Sequence, residues 1–381
     1  MLSLFLTLII AFLSLIALMV IHEFGHFIVA KKFGVRVDEF GIGYPPRIFG
    51  KKIGETIYSI NLLPFGAFVR IYGEEGGVDD YRSFIGLKIW KRVLIVIGGV
   101  VAFWLVSIIL FSIVFGMGAD IPIGDQDIAG VVSAKVKIIA VESGSPAQAA
   151  GLQAGDSLLE VKYESVKIGP EILKIIKIKD FQDFTKKHTG EKINLTVDRK
   201  GKTVEVSLTP RVNPSLGQGA VGVGLERLAT LIKKYPWYEA PVQGAIYTWQ
   251  TTANGFVGLY GVFANLVSGK GVPQGAEFAG PLGITVFLAR AVDYGPGFFL
   301  YFIGTISVFV AIFNLFPIPA LDGGKLIFLA IEKIMKKPVP AKIEQNITVI
   351  FFILLISLSI FVTIRFDIPR FSEFLKSSLS R

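Results

Sequence analysis

Cysteine is absent from the 381-residue sequence, and charged residues are scarce. Without cysteine the chain has no disulfide framework, no cysteine-based zinc finger and no thiol nucleophile. Charged residues form 18% of the sequence, against about 25% in an average soluble domain. Hydrophobic residues form 52%, and the mean hydropathy is +0.60. This composition excludes a disordered chain, a collagen-like chain and a nucleic-acid-binding protein, and it indicates a membrane protein.

Four stretches are long and apolar enough to cross a lipid bilayer, which takes about 20 helical residues. They are residues 2–21, 93–115, 298–321 and 347–364. No basic residue precedes the first stretch and no small-residue cleavage site follows it, which favours a retained helix over a signal peptide. The predicted fold class is a polytopic α-helical membrane protein with four transmembrane helices.

Basic residues are concentrated in two loops. Residues 31–92 contain eleven Lys or Arg and residues 325–342 contain five, whereas no residue before Ile21 is charged. Because basic residues collect on the cytoplasmic side, both loops are predicted to be cytoplasmic. The net charge of +9 is then interpreted as a result of the membrane topology, because basic residues collect in the cytoplasmic loops. The two termini and the long segment between the second and third spans are predicted to be extracytoplasmic.

His22-Glu23-Phe24-Gly25-His26 forms an H-E-x-x-H motif directly after the first apolar stretch. Residues four apart share one face of a helix, so both imidazoles can bind one zinc ion. Glu23 is then placed to take a proton from a zinc-bound water. Ionisable groups at membrane depth are costly and usually functional. The alternative interpretation is a helix end at which polar residues meet the lipid headgroups.

A catalytic zinc takes three protein ligands and a water, so a third ligand is needed. The candidate is Asp322, the only acidic residue at the end of the third apolar stretch. Pro317 and Pro319 interrupt the helix beside it, and two following glycines allow a close backbone approach. With four spans, the ends of the first and third lie on the same side of the membrane. The predicted ligands are His22, His26 and Asp322, with water as the fourth.

The loop between the first two spans has strand-like alternation. Residues 58–63 and 67–72 flank a Pro64-Phe65-Gly66 turn and predict a β-hairpin, and residues 41–45 predict a glycine-rich turn before it. The exposed edge of such a hairpin can pair with an extended peptide. The alternative is a hairpin that only packs on the helices.

Residues 126–211 predict a small extracytoplasmic α+β domain. Residues 145–151 read as a short helix, and residues 192–198 and 203–209 as a hairpin. The string G-S-P-A-Q-A-A-G-L-Q-A-G-D resembles a PDZ domain in one copy. Such domains bind a peptide C-terminus at a sheet edge, and a sieve that excludes bulky ectodomains is equally open. His188 is expected to face solvent and is given no role.

Two fairly apolar stretches follow this domain. Residues 237–267 are interrupted by polar residues, and residues 281–292 are too short to span. Both are predicted to be amphipathic helices at the outer membrane surface.

The strings H-E-F-G-H and N-L-F-P-I-P-A-L-D-G-G together resemble the site-2 protease family of intramembrane zinc metalloproteases. The bacterial RseP/RasP-type branch is the most similar in layout, and the resemblance covers essentially the whole chain. It implies that His22, His26 and Asp322 bind one zinc ion per chain, that Glu23 is the catalytic base, and that Asn314 contacts substrate. The alternative for Asn314 is a hydrogen bond between helices.

The second span departs from the pattern of this branch. Its members usually carry an A-G-P-x-x-N-like string there, and this chain has G-G-V-V-A at residues 98–102. The resemblance therefore assigns no role to the second helix.

The resemblance implies hydrolysis of a peptide bond in or near the transmembrane segment of single-pass membrane proteins. The implied substrates are anti-sigma factors or remnant signal peptides, within regulated intramembrane proteolysis in the bacterial cytoplasmic membrane. The lipid bilayer and a peptide C-terminus at the PDZ domain are the other predicted partners. The candidate substrate-binding residues are Asn314, Pro317, Phe68, Val69 and Arg70.

Two other functions stay open at this point. A non-catalytic membrane adaptor would present the PDZ domain and retain a structural zinc. A zinc transporter is disfavoured by the single site and the lack of an internal repeat.

The predicted segments, in chain order, are the first span with H-E-x-x-H (1–30), a cytoplasmic loop with the hairpin (31–92), the second span (93–116), the PDZ domain (126–211), the amphipathic helices (212–297), the third span with the L-D-G motif (298–322), a cytoplasmic loop (323–344), the fourth span (345–365) and an extracytoplasmic tail (366–381).

Overall fold

A computed structural model describes most of the chain, namely residues 4–74, 76, 80–118, 120–122, 131–165, 169–199, 201–214, 219–231, 234–269, 278–293 and 295–379. The first residues of the predicted PDZ domain, 126–130, lie outside this set. The chain forms two compact units. Unit 1 combines Met1–Gly116 with Pro236–Arg381, and unit 2 is Met117–Tyr235.

The strands lie in the first two thirds of the chain, and the last third is helical. In order they are α1 (Leu4–Lys32), β1 (Val37–Ile53), β2 (Thr56–Ile71), α2 (Ile89–Met117), β3 (Asp120–Pro122), β4 (Val131–Val141), α3 (Pro146–Ala149), β5 (Ser157–Ser165), β6 (Gly169–Lys174), α4 (Ile178–Lys187), β7 (Ile193–Arg199), β8 (Lys202–Leu208), β9 (Val223–Leu231), α5 (Ala240–Val267), α6 (Pro281–Asp293), α7 (Pro296–Leu315), α8 (Asp322–Met335), α9 (Ala341–Val362), a π-helical turn (Thr363–Asp367) and α10 (Ile368–Leu379).

Within the described residues, four helical segments are long and apolar enough to cross a membrane: Phe5–Lys32, Ile89–Met117, Pro296–Leu315 and Ala341–Leu375. They correspond to the four predicted spans, in agreement with a polytopic membrane protein. The last segment continues through the π-helical turn into α10, so most of the predicted tail is helical.

The third span is shorter than predicted. α7 ends at Leu315 rather than at residue 321, and α8 begins at Asp322. The two prolines between these helices account for the break, because each removes a backbone N–H from the helical hydrogen bonds.

Small residues bring the helices of unit 1 close together. A Cβ added at Gly25 of α1 would lie 2.2 Å from the carbonyl oxygen of Gly98 on α2, so no side chain fits at this crossing. Around it, α1, α2, α6, α7 and α10 share a core that includes Ala11, Val100, Phe103, Val286, Ala311 and Phe374. A second core joins the ends of α1 and α2 to β1, β2 and α8.

The orientation of α5 differs from the prediction. Tyr247 donates to or accepts from Tyr301 at 2.8 Å near the start of α7, and Phe256 stacks on Phe316 just beyond its end. Between them, the Cα of Gly255 faces Ile312. α5 therefore runs along the length of α7, whereas a helix lying flat on the membrane surface would cross it at one level.

The described part of unit 2 forms a seven-stranded sheet with two helices. The strand order is β3-β9-β4-β5-β7-β8, with β6 paired to β5. The predicted helix is present as α3, where the Ser145 side chain accepts a hydrogen bond from the Gln148 backbone N–H. The predicted hairpin is present as β7 and β8.

His188 is buried, so the prediction of a solvent-facing side chain is wrong. It is 4% exposed and lies against the ring of Tyr163, with ring centroids 4.2 Å apart and the planes inclined by 31°. Its Nδ1 lies 2.8 Å from a carboxylate oxygen of Glu191 and its Nε2 lies 3.3 Å from Glu171. The helix end at which it sits faces β5 and β6, which cover the ring.

Candidate metal centre

The two histidines of the H-E-x-x-H motif face the same point beside α1. Their Nε2 atoms are 3.3 Å apart, and both side chains are largely buried. The 3.6-residue period of the helix produces this arrangement, since residues four apart lie one above the other.

Asp322 reaches the histidines from the break between α7 and α8. Its Oδ2 lies 3.5 Å from Nε2 of His22 and 3.4 Å from Nε2 of His26. The break is tight, because a Cβ at Gly323 would lie 2.1 Å from the carbonyl oxygen of Phe316. Glycine after Asp322 is therefore what allows the chain to turn and present the carboxylate.

The three donor atoms form a nearly equilateral triangle that fits a tetrahedral zinc ion. Ligands about 2.0–2.1 Å from a tetrahedral centre lie roughly 3.3 Å from one another, and the observed separations are 3.3, 3.4 and 3.5 Å. Oδ2 of Asp322 is buried without a hydrogen-bond donor. Among the described residues, this is the one group of three or more His, Cys, Asp or Glu side chains close enough to hold a metal ion.

Helix α2 supports the imidazoles, although the sequence assigned it no role. Nδ1 of His26 lies 2.9 Å from the carbonyl oxygen of Ile95. A carbonyl only accepts, so Nδ1 carries the proton and Nε2 keeps its lone pair for a metal. The ring of Phe103 stacks on His22, with centroids 4.6 Å apart and an 18° angle between planes.

Gly99 of α2 lies directly against both imidazoles. A Cβ at this position would be 2.3 Å from Nε2 of His26 and 2.6 Å from Nδ1 of His22. The glycine pair at residues 98 and 99 thus brings the α2 backbone against α1 and its histidines. A glycine pair inside an apolar span is the sequence signal that could have predicted this contact.

A cavity opens beside the three donor atoms. It is lined by Glu23, His26, Val69, Ile71, Glu74, Ile95, Val96, Asp322 and Lys325. The cavity therefore joins the carboxylate of the H-E-x-x-H motif, two of the predicted ligands and two residues of β2.

The sheet beside this cavity is a hairpin, but it is paired differently from the prediction. β1 and β2 are joined by a turn at residues 54–55, and residues 47–53 pair with 56–61. Residues 39–42 pair with 57–60 on one side and with 67–70 on the other. The predicted pairing of 58–63 with 67–72 is wrong, because residues 39–42 of β1 lie between these segments. The predicted turn at 41–45 is part of β1.

This order makes residues 67–71 an edge of the sheet, hereafter the edge segment. Among the described residues no further strand pairs with its outer side. An unpaired edge presents backbone N–H and C=O groups that can bind an extended chain. Val69 and Ile71 of the edge segment line the cavity with Glu23.

Of the five predicted substrate-binding residues, only Val69 lines the cavity. Phe68 stacks on Tyr44, and Arg70 is exposed beside Glu39. The Asn314 amide donates a hydrogen bond of 2.9 Å to the Val310 carbonyl of its own helix, which is neither of the two contacts considered for it.

The remaining candidate is Pro317. It is exposed in the break between α7 and α8.

Comparison with known proteins identifies the family. The profile of peptidase family M50 matches residues 10–358, which include both motifs and parts of all four apolar helices. A Clostridium perfringens protein named as a zinc metalloprotease is 32% identical over 355 residues, 93% of this chain and 96% of that protein. A similarly named protein of Clostridium acetobutylicum is 32% identical over 361 residues, 95% and 97% of the two chains. The zinc metalloprotease RasP of Geobacillus kaustophilus is 27% identical over 441 residues, 93% and 96% of the two chains. The chain belongs to peptidase family M50, the site-2 protease family of metalloproteases.

Proposed function

We propose that the protein is an intramembrane zinc endopeptidase that cleaves single-pass membrane proteins in or near their transmembrane segments. The observation that carries this proposal is the triangle of His22, His26 and Asp322 with Glu23 facing the same cavity. A carboxylate that lies next to a metal site without being a ligand can act as a general base, and this arrangement suits hydrolysis.

The proposed metal ligands and Glu23 have different roles in this reaction. His22, His26 and Asp322 would hold zinc, which when bound supplies a Lewis acid that polarises a carbonyl group and a water. Glu23 takes the proton of the attacking water and then donates it to the leaving amine. Ile95 keeps His26 in the tautomer that binds metal.

The edge segment is proposed to hold the substrate in an extended form. A peptide bond inside a helix is shielded by its own turns, so a helical substrate must unwind before it meets the metal. Pairing with residues 67–71 supplies the backbone hydrogen bonds that unwinding removes. Val69 lines the cavity, so a strand added here passes the metal ligands.

The layout supports the RseP/RasP-type branch as the more specific assignment. Unit 2 is proposed to be a single PDZ domain, extracytoplasmic together with both termini, in the bacterial cytoplasmic membrane. The proposed substrates are anti-sigma factors or remnant signal peptides. The PDZ domain would bind a peptide C-terminus or act as a sieve.

A non-catalytic adaptor with a structural zinc is not favoured. A structural site is closed by four protein ligands, whereas three donors beside a cavity leave a coordination position for water. An adaptor also has no need of Glu23.

Cleavage of a single-helix membrane substrate by the detergent-solubilised full chain tests the proposal. Glu23→Gln should keep the zinc content and lose at least about 100-fold in cleavage rate, as removal of a general base predicts. Asp322→Ala should lose zinc as well as activity, and a chelator should stop the wild type. Full activity in either variant would refute the assignment.

A further inference from the structure

An ion pair at the cavity has no part in the mechanism described above. Nζ of Lys325 on α8 contacts Oε1 of Glu74, which lies three residues beyond the end of β2. Both residues line the cavity with Glu23. Lys325 is the one lysine or arginine among the described residues of this lining.

Lys325 is rigidly connected to the proposed ligand Asp322, because both lie on α8. It lies three residues after Asp322 on α8, and residues three apart share one face of a helix. The ligand and the cation therefore project from the same side of α8, one turn apart. Any movement of Lys325 with its helix also moves Asp322.

Glu74 is connected in the same way to the edge segment. Its backbone N–H donates a hydrogen bond of 3.2 Å to the carbonyl of Ile71, the last residue of β2. Tyr72, which follows Ile71, is fixed by two backbone hydrogen bonds: its N–H donates to the carbonyl of Arg36, and its carbonyl accepts from the N–H of Phe84. The Glu74 carboxylate thus sits at the end of a short, hydrogen-bonded turn that begins at the edge segment.

We propose that the Lys325–Glu74 ion pair is a positioning device that fixes the distance between the edge segment and the metal ligands. This inference rests on the proposed function. Ile71 of the sheet and Leu329 of α8 also share an apolar core. Apolar contacts are non-directional and permit sliding, whereas an ion pair with a hydrogen bond selects one relative placement.

The exposure of the pair argues for position rather than stability. The Lys325 side chain is 42% exposed and that of Glu74 is 19% exposed. Because the lysine is partly exposed, we expect the pair to contribute only modestly to the free energy of unfolding. Loss of the pair should therefore leave the fold and the zinc site intact and change only where the substrate lies relative to the metal.

The test compares Lys325→Met, Glu74→Gln, the double variant, Lys325→Arg and the charge exchange Lys325→Glu with Glu74→Lys. The matched control is Glu332→Gln, which breaks another ion pair of α8, that of Glu332 with Arg92. Zinc content, kcat and KM are measured for each full-length variant in detergent. Because the chain has no cysteine, spin labels placed at Arg70→Cys and Ile334→Cys report the distance between the edge segment and α8 without background.

A positioning pair predicts one pattern. Both single variants should broaden the distance distribution and lower kcat by roughly tenfold, since a displacement near 1 Å can cost about 100-fold. KM and zinc content should change little, and the double variant should be no worse than either single one. Lys325→Arg should retain activity and the charge exchange should regain part of it.

Three results would overturn the inference. These are an unchanged distance distribution in both single variants, a loss of kcat in Lys325→Met but not in Glu74→Gln, and an equal loss in Glu332→Gln. The second would mean that Lys325 acts on the substrate alone. Failure of the proposed function would be seen separately, as equal cleavage by wild type and Glu23→Gln, and the distance measurement would still test the pair.

Discussion

At the residue scale, the metal centre depends on apolar residues and a glycine that position the imidazoles, as well as on the proposed ligands. The H-E-x-x-H spacing and Asp322 predict the proposed ligands from sequence, because a helix places residues four apart on one face. Gly99, Ile95 and Phe103 of α2 orient the imidazoles, and they act through backbone approach and ring stacking. The glycine pair at residues 98 and 99 is the one sequence signal for these contacts, and the roles of Ile95 and Phe103 follow only from the packing of α2 on α1.

Substitution of Gly99 should weaken metal binding specifically. In Gly99→Ala the new methyl group would overlap both imidazoles, so α2 or the histidines must move. We expect zinc affinity to fall roughly 10- to 100-fold, as for the loss of a group that orients a ligand. Zinc content after dialysis against a graded chelator series measures this.

A second glycine of an apolar helix provides the control for that substitution. Gly258 of α5 has open space at its Cβ position, so Gly258→Ala changes helix propensity and not packing. It should bind zinc like the wild type. Equal affinity of Gly99→Ala and Gly258→Ala would contradict the assigned role of Gly99.

At the element scale, the four apolar spans were predictable and the strand order of the β1–β2 sheet was not. Long apolar runs and the two prolines after Leu315 are local signals, and they correspond to the observed spans and to the break before Asp322. The strand order of the β1–β2 sheet depends on residues 39–42 inserting between two later segments. Such non-local pairing leaves no trace in a period-two pattern. The burial of His188 was missed in part for the same reason, since Tyr163 of β5 and Glu171 of β6 approach its ring from other strands.

The turn between β1 and β2 carries a pH-dependent contact. Glu55 accepts hydrogen bonds of 2.6 Å from Lys31 and from Arg82. These bonds hold the pKa of the Glu55 carboxyl below its usual value of 4.5, and the bond from Lys31 has the larger effect. The contact therefore stabilises the fold above that value and is lost as the pH falls through the lowered folded-state pKa.

Glu55→Gln should accordingly lower the unfolding midpoint slightly at neutral pH and not at all in strong acid. Thermal unfolding of both proteins across this pH range measures the difference. The effect should be small, because the carboxylate is partly exposed and screened by solvent. A difference that stays constant down to strong acid would mean that the Glu55 charge is not responsible.

At the scale of the whole molecule, the proposed metal ligands join parts of unit 1 that are far apart in sequence. His22 and His26 come from α1 and Asp322 from α8, some three hundred residues later. A ligand that binds only the folded arrangement stabilises it by mass action, by about 2.7 kcal/mol at 100 times its Kd. Removal of zinc should therefore loosen unit 1 as a whole. Unit 2 has its own core, and none of its described residues belongs to the group of three donors.

Tryptophan fluorescence can separate the two units, because Trp90, Trp104, Trp237 and Trp249 all belong to unit 1. A chelator should lower the fluorescence-detected unfolding midpoint of the zinc-loaded protein by about 5 °C or more. Amide exchange in β5 and β7 of unit 2 should not change. Asp322→Ala should have the lower unfolding midpoint even without chelator, and the chelator should not change it, since this variant lacks one of the three proposed ligands. A wild-type midpoint that the chelator leaves unchanged would mean that the triangle of donors does not hold a metal that bridges α1 and α8.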